Sequence, residues 1–201
     1  MNATLSMGRT LLGLVLIAGT LALAACGTSS SATSSSTPTS TAAVTPTTSS
    51  LTGYPIKVYF SNNPGSMTAV SSVNRVSPTS QVEEFSIQLL IAGPTPEERV
   101  AGLFSELNDA FTGSSYCTGT HPVDGPDFIL TLNMKGTTPE PGTATLKFCR
   151  ATSLPGEGTG ARIKAEINAT LLQFSTVKKV VILSANGNCF DDLSGQNLCL
   201  K

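Results

Sequence analysis

Ser80-Gln81-Val82-Glu83-Glu84-Phe85-Ser86-Ile87-Gln88-Leu89-Leu90-Ile91-Ala92-Gly93-Pro94-Thr95-Pro96-Glu97-Glu98 holds two helices and the break between them. Ser80 and Glu83 have the spacing of a capping box, and Val82, Phe85, Leu89 and Leu90 fall on one face of the helix that box would open. Gly93-Pro94 ends it, since glycine accepts the left-handed backbone of a helix terminus and proline disfavours helix in the residue before it. Thr95-Pro96-Glu97-Glu98 restarts it, with a capping threonine, proline at the first helical position and an acid three residues after the cap. A short helix is expected from Pro96 toward Ala101, with Gly102-Leu103-Phe104 docking its end on the core.

Toward the N-terminus lies Pro55-Ile56-Lys57-Val58-Tyr59-Phe60, a strand by its β-branched and aromatic content, closed by Ser61-Asn62-Asn63-Pro64-Gly65. Residues 68–76 form a weaker extended stretch. Toward the C-terminus, residues 127–135 and 143–150 alternate as strands, with Phe128, Leu130 and Leu132 on one and Leu146 and Phe148 on the other. The Gly- and Pro-rich residues 136–142 would join them as a hairpin loop. Residues 161–174 return to helical period, Ile163, Ile167, Leu171 and Phe174 inward and Arg162, Lys164 and Glu166 outward. Lys179-Val180-Val181-Ile182-Leu183 reads as a strand of the kind found in a sheet centre. The order predicts an α+β domain over residues 53–201, a mixed sheet of about four to five strands with two main helices on one face.

The first fifty residues contain no acid and one base, Arg9. Residues 11–25 are apolar but short for a membrane span, and they end in Leu23-Ala24-Ala25-Cys26, which resembles a bacterial lipobox. Residues 1–25 are expected to be a cleaved signal peptide and Cys26 the acylated anchor, which places the chain outside the cytoplasm on the cell membrane. Residues 26–52 are nearly all Ser, Thr, Ala and Pro, a composition that cannot bury enough apolar surface to order itself, and so they read as a disordered stalk. Loss of the first 25 residues leaves 11 basic against 13 acidic side chains, with no basic stripe, which excludes nucleic acid as a partner.

Beyond Cys26 there are four cysteines, Cys117, Cys149, Cys189 and Cys199. An even count in an exported domain points to two disulfides among three pairings; Cys189 with Cys199 is the local staple, which leaves Cys117 with Cys149. No Cys-x-x-Cys spacing and a single histidine argue against a metal, and no cofactor motif is present. His121 sits among turn formers in Thr118-Gly119-Thr120-His121-Pro122, without the buried setting of a general base, and no Gly-x-Ser-x-Gly supplies a nucleophile elbow. Asp191 and Asp192 lack the alternating ligands of a calcium loop. Glu97 and Glu98 point about 100° apart on a helix, which is unsuited to paired-carboxylate catalysis. Gly156-Glu157-Gly158-Thr159-Gly160 has no lysine to complete a phosphate loop. No catalytic residue set emerges, and the chain reads as a non-enzyme.

The Leu90-x-x-Gly93-Pro94-Thr95-x-x-Glu98 segment resembles the core of the GerMN domain of sporulation and spore-germination proteins, which is also found in bacterial lipoproteins. It follows the strand around Val58-Tyr59-Phe60 and the Asn74-Arg75-Val76 stretch. The Thr143-Ala144-Thr145-Leu146-Lys147-Phe148 strand, the helix with Ile163, Ile167 and Leu171 and the Val180-Val181-Ile182-Leu183 strand extend the resemblance over residues 54–190. It implies a ring-building-motif-like module whose work is protein association in envelope, sporulation or germination assemblies. The chain departs from it in carrying one copy and four cysteines. The expected partner is another envelope or membrane protein, with Arg75, Gly93, Pro94, Thr95 and Glu97 as contacts and the oligomeric state left open. The alternative is an extracytoplasmic lipoprotein that binds a small solute or cell-wall glycan, against which stands the lack of Trp.

Overall fold

Ile56, Val58 and Phe60 alternate along β1 (Tyr54–Ser61) and are all buried, which fixes that strand's inner face. β1 pairs antiparallel with β2 (Val70–Ser77) in unbroken register from Tyr54 opposite Ser77 to Ser61 opposite Val70. The computed structural model describes residues 52–201, which fall within one compact unit. The expected signal peptide, the anchor Cys26 and nearly all of the stalk lie outside the described residues.

Helix α1 (Val82–Ala92) follows, then α2 (Pro96–Val100). The capping box expected at Ser80 does not form: Gln81 occupies the cap position and no side chain caps there. The buried face of α1 is also turned from the one expected, with Ser86, Ile87 and Leu90 innermost and Leu89 and Ile91 at its margin. Ile87 is three residues before Leu90, so this stripe obeys the same period, and packing against β1 and α3 selects it.

Strands β4 (Phe128–Lys135) and β5 (Thr138–Phe148) form the hairpin, but its loop is only Gly136-Thr137. Most of the expected loop is strand, since Lys135 pairs with Thr138; the ladder is interrupted between Leu132 and Met134, where Asn133, at φ 58°, stands alone opposite residues 140–143 of β5. The prolines at 139 and 141 are tolerated because β7 (Lys179–Leu183) joins β5 only from Thr143 onward, so the start of β5 is itself an edge. β5 is the centre of the β4-β5-β7 sheet, antiparallel to β4 and parallel to β7. β7 is therefore an edge strand, not a central one; α3 packs on it, and Phe190 donates its amide to Ile182 O along its outer edge. A third pair joins β3 (Phe111–Thr112) to β6 (Ala151–Thr152).

The class is α+β, with the strands divided among three small sheets instead of one. Helix α3 (Thr159–Leu172) lays Ile163, Ile167 and Leu171 into a core with Val58, Phe60, Leu146, Phe148 and Ile182. Phe148 is flanked edge-on by Phe111 and Phe190, at 5.4 and 5.1 Å between ring centres. Disulfides join Cys117 to Cys149 and Cys189 to Cys199, with Cα separations of 5.1 and 5.9 Å. The first ties an irregular loop to the end of β5, where the Tyr116 amide also reaches Cys149 O.

Candidate interaction surface at the edge of β2

Strand β1 lies between two very different neighbours. On one side is β2; on the other, α3 presents Glu166, Thr170 and Gln173, four and three residues apart and so on one face. Their side chains accept the amides of Ser61, Tyr59 and Lys57 at 3.2, 3.1 and 2.7 Å. Gln173 returns a hydrogen bond from Nε2 to Lys57 O at 2.6 Å. A helix has thus closed the edge of β1 with side chains, where another strand would otherwise fit.

Glu166 corrects the sequence reading, which placed it outward: its side chain is fully buried. Besides the Ser61 amide it accepts the Ser61 hydroxyl at 2.6 Å, with Ser105 Oγ and the Glu106 amide near at 3.3 and 3.4 Å. Burial outweighs these donors and pushes its carboxyl up to about 7. The period carried the signal, because 166 lies three residues after Ile163 and four before Thr170 on the inward stripe.

Since Lys57, Tyr59 and Ser61 turn their amides toward α3, ladder alternation turns those of Asn74, Ser72 and Val70 opposite them away from β1. Val76, opposite Pro55, continues that row. These four amides find no hydrogen-bond acceptor among the described residues. Residues 70–77 contain no proline and no lysine, and the pairing has no bulge, so three of the usual defences of an exposed edge are missing from the strand. β4 by contrast has its ladder interrupted at Asn133 and carries Lys135, and β7 is covered by Phe190.

The sole charge on β2, Arg75, is held by Glu98 of α2 at 2.6 Å. That hydrogen bond keeps the Glu98 carboxyl below its ordinary range. Glu98 also accepts the Thr95 amide while Thr95 Oγ1 accepts the Glu98 amide, so the capping box at Thr95 forms as read. Arg75 and α2 therefore make one surface, on which Thr95 and Glu97 are exposed and Val100 is 90% exposed. Gly93 and Pro94 do not share its outer face: Pro94 is buried, and Gly93, at φ 82°, sits against Asn108. Asn108 Nδ2 in turn reaches the α1 carbonyls of Ala92 and Ile91 at 3.3 and 3.5 Å, which anchors the turn from within.

His121 is exposed, has φ 46° and stacks obliquely on Tyr116; Asp191 pairs with Lys164, and Asp192 accepts the amides of Ser194 and Asn197. Among the described residues no three His, Cys, Asp or Glu side chains gather as a metal site, and no helix is long and apolar enough to cross a membrane.

No family model matches the chain, and no curated protein is a detectable relative. Among solved structures, the tandem GerMN domains of the sporulation protein GerM from Bacillus subtilis align at TM-score 0.38 and 13% identity, over 66% of this chain and 39% of that one. The first GerMN domain of the same protein aligns at TM-score 0.37 and 15% identity, over 66% of this chain and 84% of that one. The chain thus spans about two fifths of the tandem protein.

Proposed function

We propose that this protein is a non-catalytic interaction module, anchored outside the cytoplasm through acylated Cys26 and the stalk of residues 26–52. Its partner is another exported or membrane protein, which adds an extended segment to the outer edge of β2. The observation that carries the reading is the contrast between the two edges of one sheet: α3 satisfies β1, and nothing among the described residues satisfies Val70, Ser72, Asn74 and Val76. Thr95, Glu97 and the Arg75–Glu98 pair flank that edge and give the incoming segment side-chain specificity, while Gly93 and Pro94 act from behind by setting the turn. The resemblance of residues 54–190 to GerMN domains supports association over catalysis and extends the reading to envelope or sporulation assemblies.

The test is in-cell crosslinking of full-length protein, wild type against Ser72→Pro and Cys26→Ala. Proline at an outward edge position removes one free donor and is expected to change stability by no more than about 0.5 kcal/mol, while abolishing the crosslink to the partner. Cys26→Ala is expected to lose the crosslink by releasing the protein from the membrane. A crosslink that survives Ser72→Pro at full yield overturns the edge as the docking surface.

A further inference from the structure

The β4-β5-β7 sheet has a second face, turned away from the core residues Leu130, Leu146 and Ile182. Thr131, Thr145 and Lys147 lie on it beside Ile129 and Leu183, as strand alternation requires. The chain after β7 folds back across this face: Cys189–Cys199 staples it, and the 3-10 turn Leu198–Leu200 sets Leu200 beside the hairpin turn, where a Cβ added to Gly136 would come within 2.9 Å of it. Between that wall and the hairpin tip is a concavity of about 440 Å³, within the span of about 300–1,000 Å³ usual for small-molecule sites.

One of its charges has no partner among the described residues. The lining contains two lysines and no carboxylate. Lys135 is engaged by Glu140 at 3.3 Å and by Lys201 O at 3.1 Å. Lys147, half-buried directly opposite Ile129 in the ladder, makes no ion pair and donates no hydrogen bond among the described residues. The hydroxyls of Thr131, Thr137 and Thr138 are likewise uncommitted, whereas that of Thr145 is taken by Met134 O. An ammonium without a counter-charge beside free hydroxyls favours an anion, and Ile129, Leu183 and Leu200 in the same lining favour one with a hydrocarbon tail.

We propose that this groove binds a small amphipathic carboxylate, its head on Lys147 with Thr131 and its tail across Ile129, Leu183 and Leu200. The site is on a different sheet from the β2 edge and does not depend on the partner proposed for it.

The probe is octanoate, titrated into full-length protein and followed by NMR, with octanol as the uncharged control and N-acetyl-leucyl-leucine as a peptide carboxylate. Saturable shifts are expected at Ile129, Leu183 and Leu200 with octanoate, and binding of octanol about tenfold weaker. Lys147→Gln is expected to weaken octanoate by about tenfold and leave octanol unchanged, and Lys147→Arg to retain the preference for the acid. The tighter of the two carboxylates identifies the source as an alkyl acid or a peptide C-terminus. Absence of saturable shifts in the groove, equal affinity for acid and alcohol, or indifference to Lys147→Gln overturns the proposal.

Discussion

Glu166 holds β1, α3 and the loop at Ser105 to one carboxyl group, and the state of its proton sets what that arrangement costs. Its carboxyl rises from an ordinary 4.5 to about 7 on folding. The folded protein therefore retains a proton that the unfolded chain has already released, and stability is full below the unfolded value, falls as pH rises toward 7 and levels off above it. A shift of that size corresponds to about 3 kcal/mol across the window. Glu166→Gln keeps an acceptor for the Ser61 amide but cannot ionise, so its stability relative to wild type is expected to improve from pH 5 to pH 7 and to level off above that in urea denaturation. Parallel curves for the two proteins would show that the carboxyl does not titrate there. The sequence conceals this residue because its donors, the small hydroxyls of Ser61 and Ser105 at the edges of apolar runs, come from positions 105 and 61 residues away.

At the scale of elements, α3 acts as a strand substitute, with Thr170 as its middle rung. Thr170→Val keeps the shape and removes the acceptor of the Tyr59 amide, leaving a part-buried donor unpaired. The expected loss is about 1–2 kcal/mol in urea denaturation, with faster exchange of the Tyr59 amide; unchanged stability would mean that water reaches the edge. Local chemistry made α2, the body of α3 and the strands at Val58 and Val181 legible, because caps and periods are encoded within a few residues. What pairs with what was not legible. The centre of the larger sheet is β5 instead of β7, and a Gly- and Pro-rich stretch belongs to β5, its pairing with β4 interrupted only opposite Asn133.

At the scale of the whole molecule, three edges of the two larger sheets are each closed differently: side chains from α3 on β1, a stapled backbone on β7, an interrupted ladder and a lysine on β4. Among the described residues β2 has none, and the surface it shares with α2 includes three of the five residues, Arg75, Thr95 and Glu97, expected from sequence to meet a partner. Gly93 and Pro94 belong to the turn behind that surface, Gly93 against Asn108 and Pro94 buried. The groove beyond β5 was not visible in the sequence at all, because its walls come from the hairpin tip and from a segment that the Cys189–Cys199 bridge folds over the sheet.

The availability of the β2 edge is open to direct measurement by residue-resolved amide hydrogen exchange on the free protein. The amides of Ser72, Asn74 and Val76 are expected to exchange with little protection, and those of Lys57, Tyr59 and Ser61, closed off by α3, only through larger openings of the fold. Equal, strong protection on both rows would mean that the edge of β2 is already occupied, and it would contradict the account.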